Sequence, residues 1–234
     1  MKTRMRRDVA VRRTSITASA GILAALTALT ACGPVQMGSA AIVGDQGISA
    51  STLTSQVSNL KDAYNANRGS IQLQYPLSQA PQQVLGWLVR FRIRDELAAR
   101  NHITVTRADT EAVQAAINAQ ARQNHTSTAD LLVANGLPPD LLPQLSRYQA
   151  IELALVRKLN GGQFPTSQAA LASLSSEFNA AQCRAAKSLA IRINPQFGRL
   201  DYGQLSVIPA VSGLSAPPGG EPSPSAAPRL TAPC

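Results

Sequence analysis

Apolar positions divide the chain into stretches of different period. The run Ile22-Leu23-Ala24-Ala25-Leu26-Thr27-Ala28-Leu29 is continuous rather than periodic, and it follows six basic residues and one acidic residue within residues 1–13. That is the order of the basic and apolar regions of an export signal. The run is shorter than the ~20 apolar residues of a spanning helix. Periodicity begins near residue 40. Residues 40–44 predict a short strand, and Asp45-Gln46-Gly47 a turn. Ser49 then opens a helical pattern, with Leu53, Val57, Leu60 and Tyr64 on one face and Arg68-Gly69-Ser70 as its stop. Residues 70–80 are expected as a loop.

A helix is predicted from Pro81 to about Asn101 with two apolar stripes. Val84, Leu88 and Phe91 lie together beside Trp87, and Val89, Ile93 and Leu97 lie on roughly the opposite side. Two stripes require neighbours on both sides, which places this helix at the centre of the domain. Arg90, Arg92 and Arg94 are expected on a solvated face balanced by Asp95 and Glu96, the competing reading being a binding patch. Thr106 and Asp109 have capping-box spacing, so a helix with one narrow buried stripe should run to about Asn124. Ser127 or Thr128 caps a short helix ending at Gly136. The next starts at Pro138-Pro139-Asp140, carries Leu141, Leu145, Tyr148, Ile151, Leu155 and Leu159 on its apolar face, and ends at Gly161-Gly162. Leu171, Leu174 and Phe178 mark a last helix over about 167–186. The period then becomes two: Leu189, Ile191 and Ile193 alternate with Ala190, Arg192 and Asn194, predicting a strand with one buried face. Residues 205–208 predict a final short strand. The remaining 209–234 hold 7 of the 15 prolines and are expected not to fold.

Composition changes this picture in one respect. The formal charge of +9 falls to +4 once residues 1–31 are set aside, leaving 16 basic and 12 acidic residues. That mild excess reads as spread along the chain, and nucleic-acid binding loses its main support. The apolar run ends in Leu29-Thr30-Ala31-Cys32-Gly33, which resembles a bacterial lipobox. It implies cleavage before Cys32 and a diacylglycerol on its thiol, hence a protein anchored on the extracytoplasmic face of the cell membrane. A plain secretory signal preceding a cysteine is the alternative. Arg6-Arg7 and Arg12-Arg13 fit a twin-arginine signal poorly, so the general secretion route is expected. The expected divisions are a signal peptide (1–31), a tether (32–39), a helical domain (40–208) and a Pro-rich tail (209–234).

Several stretches resemble the N-terminal domain of extracytoplasmic chaperones of the SurA and PrsA type. Ala41-Ile42-Val43-Gly44-Asp45-Gln46-Gly47-Ile48-Ser49 is similar to that family's opening strand, turn and helix cap. Val84-Leu85-Gly86-Trp87-Leu88-Val89, Asp95-Glu96-Leu97-Ala98 and Ile103-Thr104-Val105-Thr106 are similar to its central helix and following link. Ile191-Arg192-Ile193-Asn194-Pro195-Gln196-Phe197-Gly198 resembles the closing strand of related lipoproteins. The resemblance spans about 150 residues and implies a mainly α fold whose N- and C-terminal strands form a small sheet, Ile42 and Val43 pairing with the strand of Leu189, Ile191 and Ile193. It also implies exposed apolar surface that holds unfolded exported polypeptides. Space for a parvulin-type isomerase domain is lacking. The two histidines, His102 and His125, fall at predicted helix boundaries, and Gly161-Gly162-Gln163-Phe164 resembles the parvulin glycine motif only superficially.

No phosphate loop, nucleophile elbow or zinc spacing is present, so neither cofactor nor metal is expected. Export permits a disulfide between Cys183 and Cys234, with a free buried Cys183 as the alternative. The first functional expectation is a lipid-anchored holdase without isomerase activity. Trp87, Phe91 and Tyr148 are the candidate lining of a client groove, and ordinary core is their competing role. The second expectation is an adaptor lipoprotein with one envelope partner. An enzyme finds no support in the residues.

Overall fold

The computed structural model describes residues 38–210, which form a mainly helical fold with a small antiparallel sheet. Strand β1 (Ser39–Val43) turns through Gly44 and Asp45 into β2 (Gln46–Ser49), so the predicted turn is shorter than expected and its last two residues already pair. Gly44 takes φ +64, and a Cβ there would meet Leu189 Cδ2 at 3.1 Å. On its other side β1 pairs antiparallel with β3 (Arg192–Ile193), giving the order β2-β1-β3. Ala41 lies opposite Ile193 and Ile42 opposite Arg192, so the two ends of the described chain are held together. The ladder at β3 is shorter than the alternation from Leu189 suggests. The alternation holds as far as Ile193, with Leu189, Ile191 and Ile193 half-buried and Ala190 and Arg192 exposed, but Asn194, expected outward, is half-buried and bonds to β1.

Helix α1 (Ala50–Ala66) starts where Ser49 Oγ accepts from the Thr52 amide at 3.0 Å, and it buries Leu53, Val57 and Leu60. A 3-10 turn (Leu77–Gln79) leads into α2 (Ala80–Arg100), with Pro81 in its first turn. Around α2 pack α1, β1, the later helices over 142–159 and 168–188 and the last strand, which confirms its central place. In α3 (Arg107–Gln123) both bonds of the Thr106/Asp109 capping box form, and the buried stripe is Val113, Ile117 and Ala121. The short α4 (Thr128–Ala134) is capped by Ser127. Then come α5 (Leu142–Leu159) and α6 (Gln168–Ser188). On α5 the apolar face narrows towards its end, and Leu159 is exposed.

A second hairpin, β4 (Arg199–Asp201) with β5 (Ser206–Ile208), packs on α2. Of these two strands only β5 was predicted. Gly198, at φ +130, enters the hairpin where a Cβ would lie 2.3 Å from the Ile208 carbonyl oxygen, so no other residue fits.

The two stripes of α2 serve two clusters. Val84, Leu85, Val89, Ile93 and Leu97 join the larger one with the sheet, α1 and α6. Phe91, flanked by Trp87 and Leu88, joins the smaller one with α3, α4 and α5. Val84 therefore faces the large cluster rather than the side of Phe91. Both clusters are built from residues within 38–210, whose first and third strands pair. These residues lie within one compact unit. Among the described residues, no helix is long and apolar enough to cross a membrane.

Candidate binding cleft

Trp87 and Phe91 are four residues apart on α2 and share a face, which α5 meets with Tyr148. The three rings touch, with centroids 5.9 Å (Trp87–Phe91), 6.1 Å (Trp87–Tyr148) and 5.8 Å (Phe91–Tyr148) apart, both Tyr148 contacts being edge-on. The sequence-predicted trio is thus one stack, but it does not line one groove. Phe91 and Tyr148 border a cleft of about 350 Å³ between the β2–α1 junction, α2 and α5. Trp87 borders a smaller one of about 210 Å³ on the other side, with Ile117, Leu131, Leu137 and Leu145.

The larger cleft has an apolar wall and a polar rim. Leu88, Phe91, Leu141, Tyr148 and Ile151 form the wall. On the rim Asp95 accepts from Arg147 Nε at 3.0 Å, while Arg92 is exposed with no ion-pair partner among the described residues. Gln56 donates to Asp140 at 3.0 Å, and its own buried Oε1 finds no donor. Phe91 is only 9% exposed and belongs to the core as well as to the wall. Tyr148 and Trp87 are half-buried and present part of a ring to solvent.

Behind the stack lies a residue whose role reverses the sequence expectation. Arg94 is 2% exposed, not solvated. Its guanidinium lies between Tyr148 and Phe178, 3.9 and 4.6 Å from their ring centres, and donates to Glu152 and Gln182, each at 3.2 Å. Its Nε has no partner. A signal for this was present: Arg94 follows Trp87 by seven positions and Phe91 by three, so it continues their stripe. Arg90 is also drawn inward. Its Nε donates to the Leu205 carbonyl at 2.9 Å, its guanidinium lies 5.1 Å from the Trp87 ring centre, and burial pushes its pKa below the ordinary arginine value. Asp95 and Glu96 do not balance this cluster; they pair with Arg147 and Arg100. Of the three arginines only Arg92 stays on the surface.

Neither the protein-family models nor the curated proteins contain a match to this chain.

The remaining candidate residues lie away from the cleft or beyond the description. Cys32 and Cys234 fall outside the described residues. Cys183, half-buried on α6, is disulfide-bonded, which corrects the free-thiol alternative; its partner is not among the described residues. His102 and His125 follow α2 and α3 directly, exposed and with positive φ. Among the described residues no group of three His, Cys, Asp or Glu side chains could hold a metal ion.

Proposed function

We propose that the protein is a lipid-anchored extracytoplasmic holdase of the SurA-like kind, which captures short apolar segments of unfolded exported polypeptides and catalyses no prolyl isomerisation. The observation that carries this reading is the larger cleft, an apolar wall of Leu88, Phe91 and Tyr148 edged by Arg92 and the Asp95–Arg147 pair. Its volume of about 350 Å³ fits one or two side chains, at the low end for a ligand site. Affinity for any single segment should be weak, and clients leave without ATP. The rim supplies polar partners for a client backbone.

The test uses protein starting at Gly33 and an unfolded client prone to aggregate. Aggregation should slow without nucleotide, and Tyr148→Ala should weaken the effect, with a thermal melt verifying that the variant is folded. Prolyl exchange, with an uncatalysed time of about 10–100 s, should not accelerate. Suppression of no client by folded protein would move the assignment to an adaptor with one partner. The anchor is tested separately by the intact mass of the mature protein. Acylation of Cys32 as a thioether would leave Cys234 as the only intramolecular partner for Cys183, so non-reducing peptide mapping should then find that bond.

A further inference from the structure

Residues 38–210 hold 15 basic and 11 acidic residues, and the excess of four is not spread along the chain. Between Glu177 and Asp201 stand Arg184, Lys187, Arg192 and Arg199 with no acidic residue among them; outside this stretch the described residues balance at 11 of each sign. All four side chains are exposed, and none has an ion-pair partner among the described residues. Arg184 and Lys187 are three apart on α6 and neighbour each other on its surface. From there the chain runs directly into β3 with Arg192, and β4 with Arg199 touches β3. The net charge of the domain is thus gathered on the end of α6, the edge strand β3 of the three-stranded sheet and the neighbouring strand β4 of the hairpin.

That edge is also fastened to the tether end of the domain. The Asn194 amide donates to the Ala40 carbonyl at 2.9 Å, and Asn194 Nδ2 to the Ser39 carbonyl at 3.1 Å. From Cys32 to Ser39 the chain spans at most about 25 Å when fully extended. We propose that the rim of Arg184, Lys187, Arg192 and Arg199 is a membrane-docking surface for anionic phospholipid headgroups. This placement rests on the lipid-anchor reading. A lipid at Cys32 would keep the rim close to the headgroups, and four unpaired cations within reach of them would fix which side of the domain faces the bilayer.

The test omits the anchor and the basic leader, so that only the rim is read. Protein starting at Gly33 is sedimented with vesicles of phosphatidylcholine alone or mixed with phosphatidylglycerol, at low and high salt. Binding should require phosphatidylglycerol and fall with salt. Arg192→Glu with Arg199→Glu should lower partitioning at least about tenfold, and the milder Arg192→Gln with Arg199→Gln should fall between. A control with the same charge change on α3, Arg107→Glu with Arg122→Glu, should retain most of the binding. Thermal melts verify folding of each variant. Equal loss in rim and control variants, binding without preference for the anionic lipid, or no binding at all would overturn the proposal. So would capture by heparin without capture by vesicles, or a rim variant that keeps its vesicle binding but aggregates, the mark of cations that only protect a strand edge. Failure to find acyl mass on Cys32 would remove the anchor and leave this result standing.

Discussion

Four helices end on asparagine followed by a residue with positive φ: Asn101-His102, Asn124-His125, Asn135-Gly136 and Asn160-Gly161. At the first three, two amides fold back onto the last turn. After α3 the His125 amide donates to Arg122 at 3.1 Å and the Thr126 amide to Ala121 at 3.0 Å, a Schellman closure. Two of the four sites use histidine where glycine would be relaxed. The left-handed conformation costs a residue with a Cβ about 1–2 kcal/mol, and glycine gives back about 0.4–1 kcal/mol through its freer unfolded chain. His125→Gly should therefore stabilise the fold by roughly 0.5–1 kcal/mol, raising its melting temperature by a few degrees. Scanning calorimetry would show it, and a lowered midpoint would mean that the imidazole makes an interaction worth more than the strain. Both histidines were placed correctly at helix ends by the sequence. Their conformation was not legible there, because nothing in Asn-His distinguishes a left-handed residue from an ordinary loop one.

At the scale of elements, α2 is held by one buried guanidinium as well as by its stripes. Arg94 joins α2 to α5 through Glu152 and the Tyr148 ring, and to α6 through Gln182 and the Phe178 ring. Glu152 is 44% exposed, so water can replace much of what its carboxylate gives. Glu152→Gln should cost about 1 kcal/mol, whereas Arg94→Ala strips a filled site between two rings and should cost about 3–5 kcal/mol. Urea titrations of both variants decide this. Equal losses would mean that the ion pair, rather than the ring sandwich, carries the contact. Helix boundaries to within a few residues and both stripes apart from Val84 were readable from spacing, because burial on a helix repeats every three to four residues whatever the partner. The inward turn of Arg94 runs against its residue type, since arginine is seldom fully buried, and only its position on the stripe points to it. Strands β2 and β4 were missed for another reason: each is too short to show an alternation, and their pairing depends on neighbours rather than on their own pattern.

At the scale of the whole molecule, the sheet closes the fold by joining its ends. Ile193 lies opposite Ala41, packs against the larger cluster and is half-buried. Ile193→Asp should destabilise all of residues 38–210 together by roughly 1.5–3 kcal/mol, from lost burial and a carboxylate at an apolar site. Hydrogen exchange should report this as a uniform loss of protection; loss confined to the sheet would show that the helices are stable without it. The two terminal strands were legible as short apolar patterns, and their pairing only as what the resemblance implied. The gathering of charge around β3 and the division of the aromatic stack between two clefts were not, because both arise only when distant segments meet.

The same ladder sets an order of events. Ala41 and Ile193 are pairing partners separated by 151 intervening residues, so the first strand to leave the ribosome must wait for one of the last. At about 5–20 residues per second that delay is roughly 8–30 s. During it, β1 has only the short β2 on one side and an unpaired edge on the other. The larger cluster also lacks Phe178, Ala181, Ala185 and Ala186 from α6 until then. A nascent chain stopped before Leu189 lacks the partner of β1, so the sheet is completed only once residue 193 has been made; under the export reading proposed above, the chain would stay loose while it is threaded through a narrow channel.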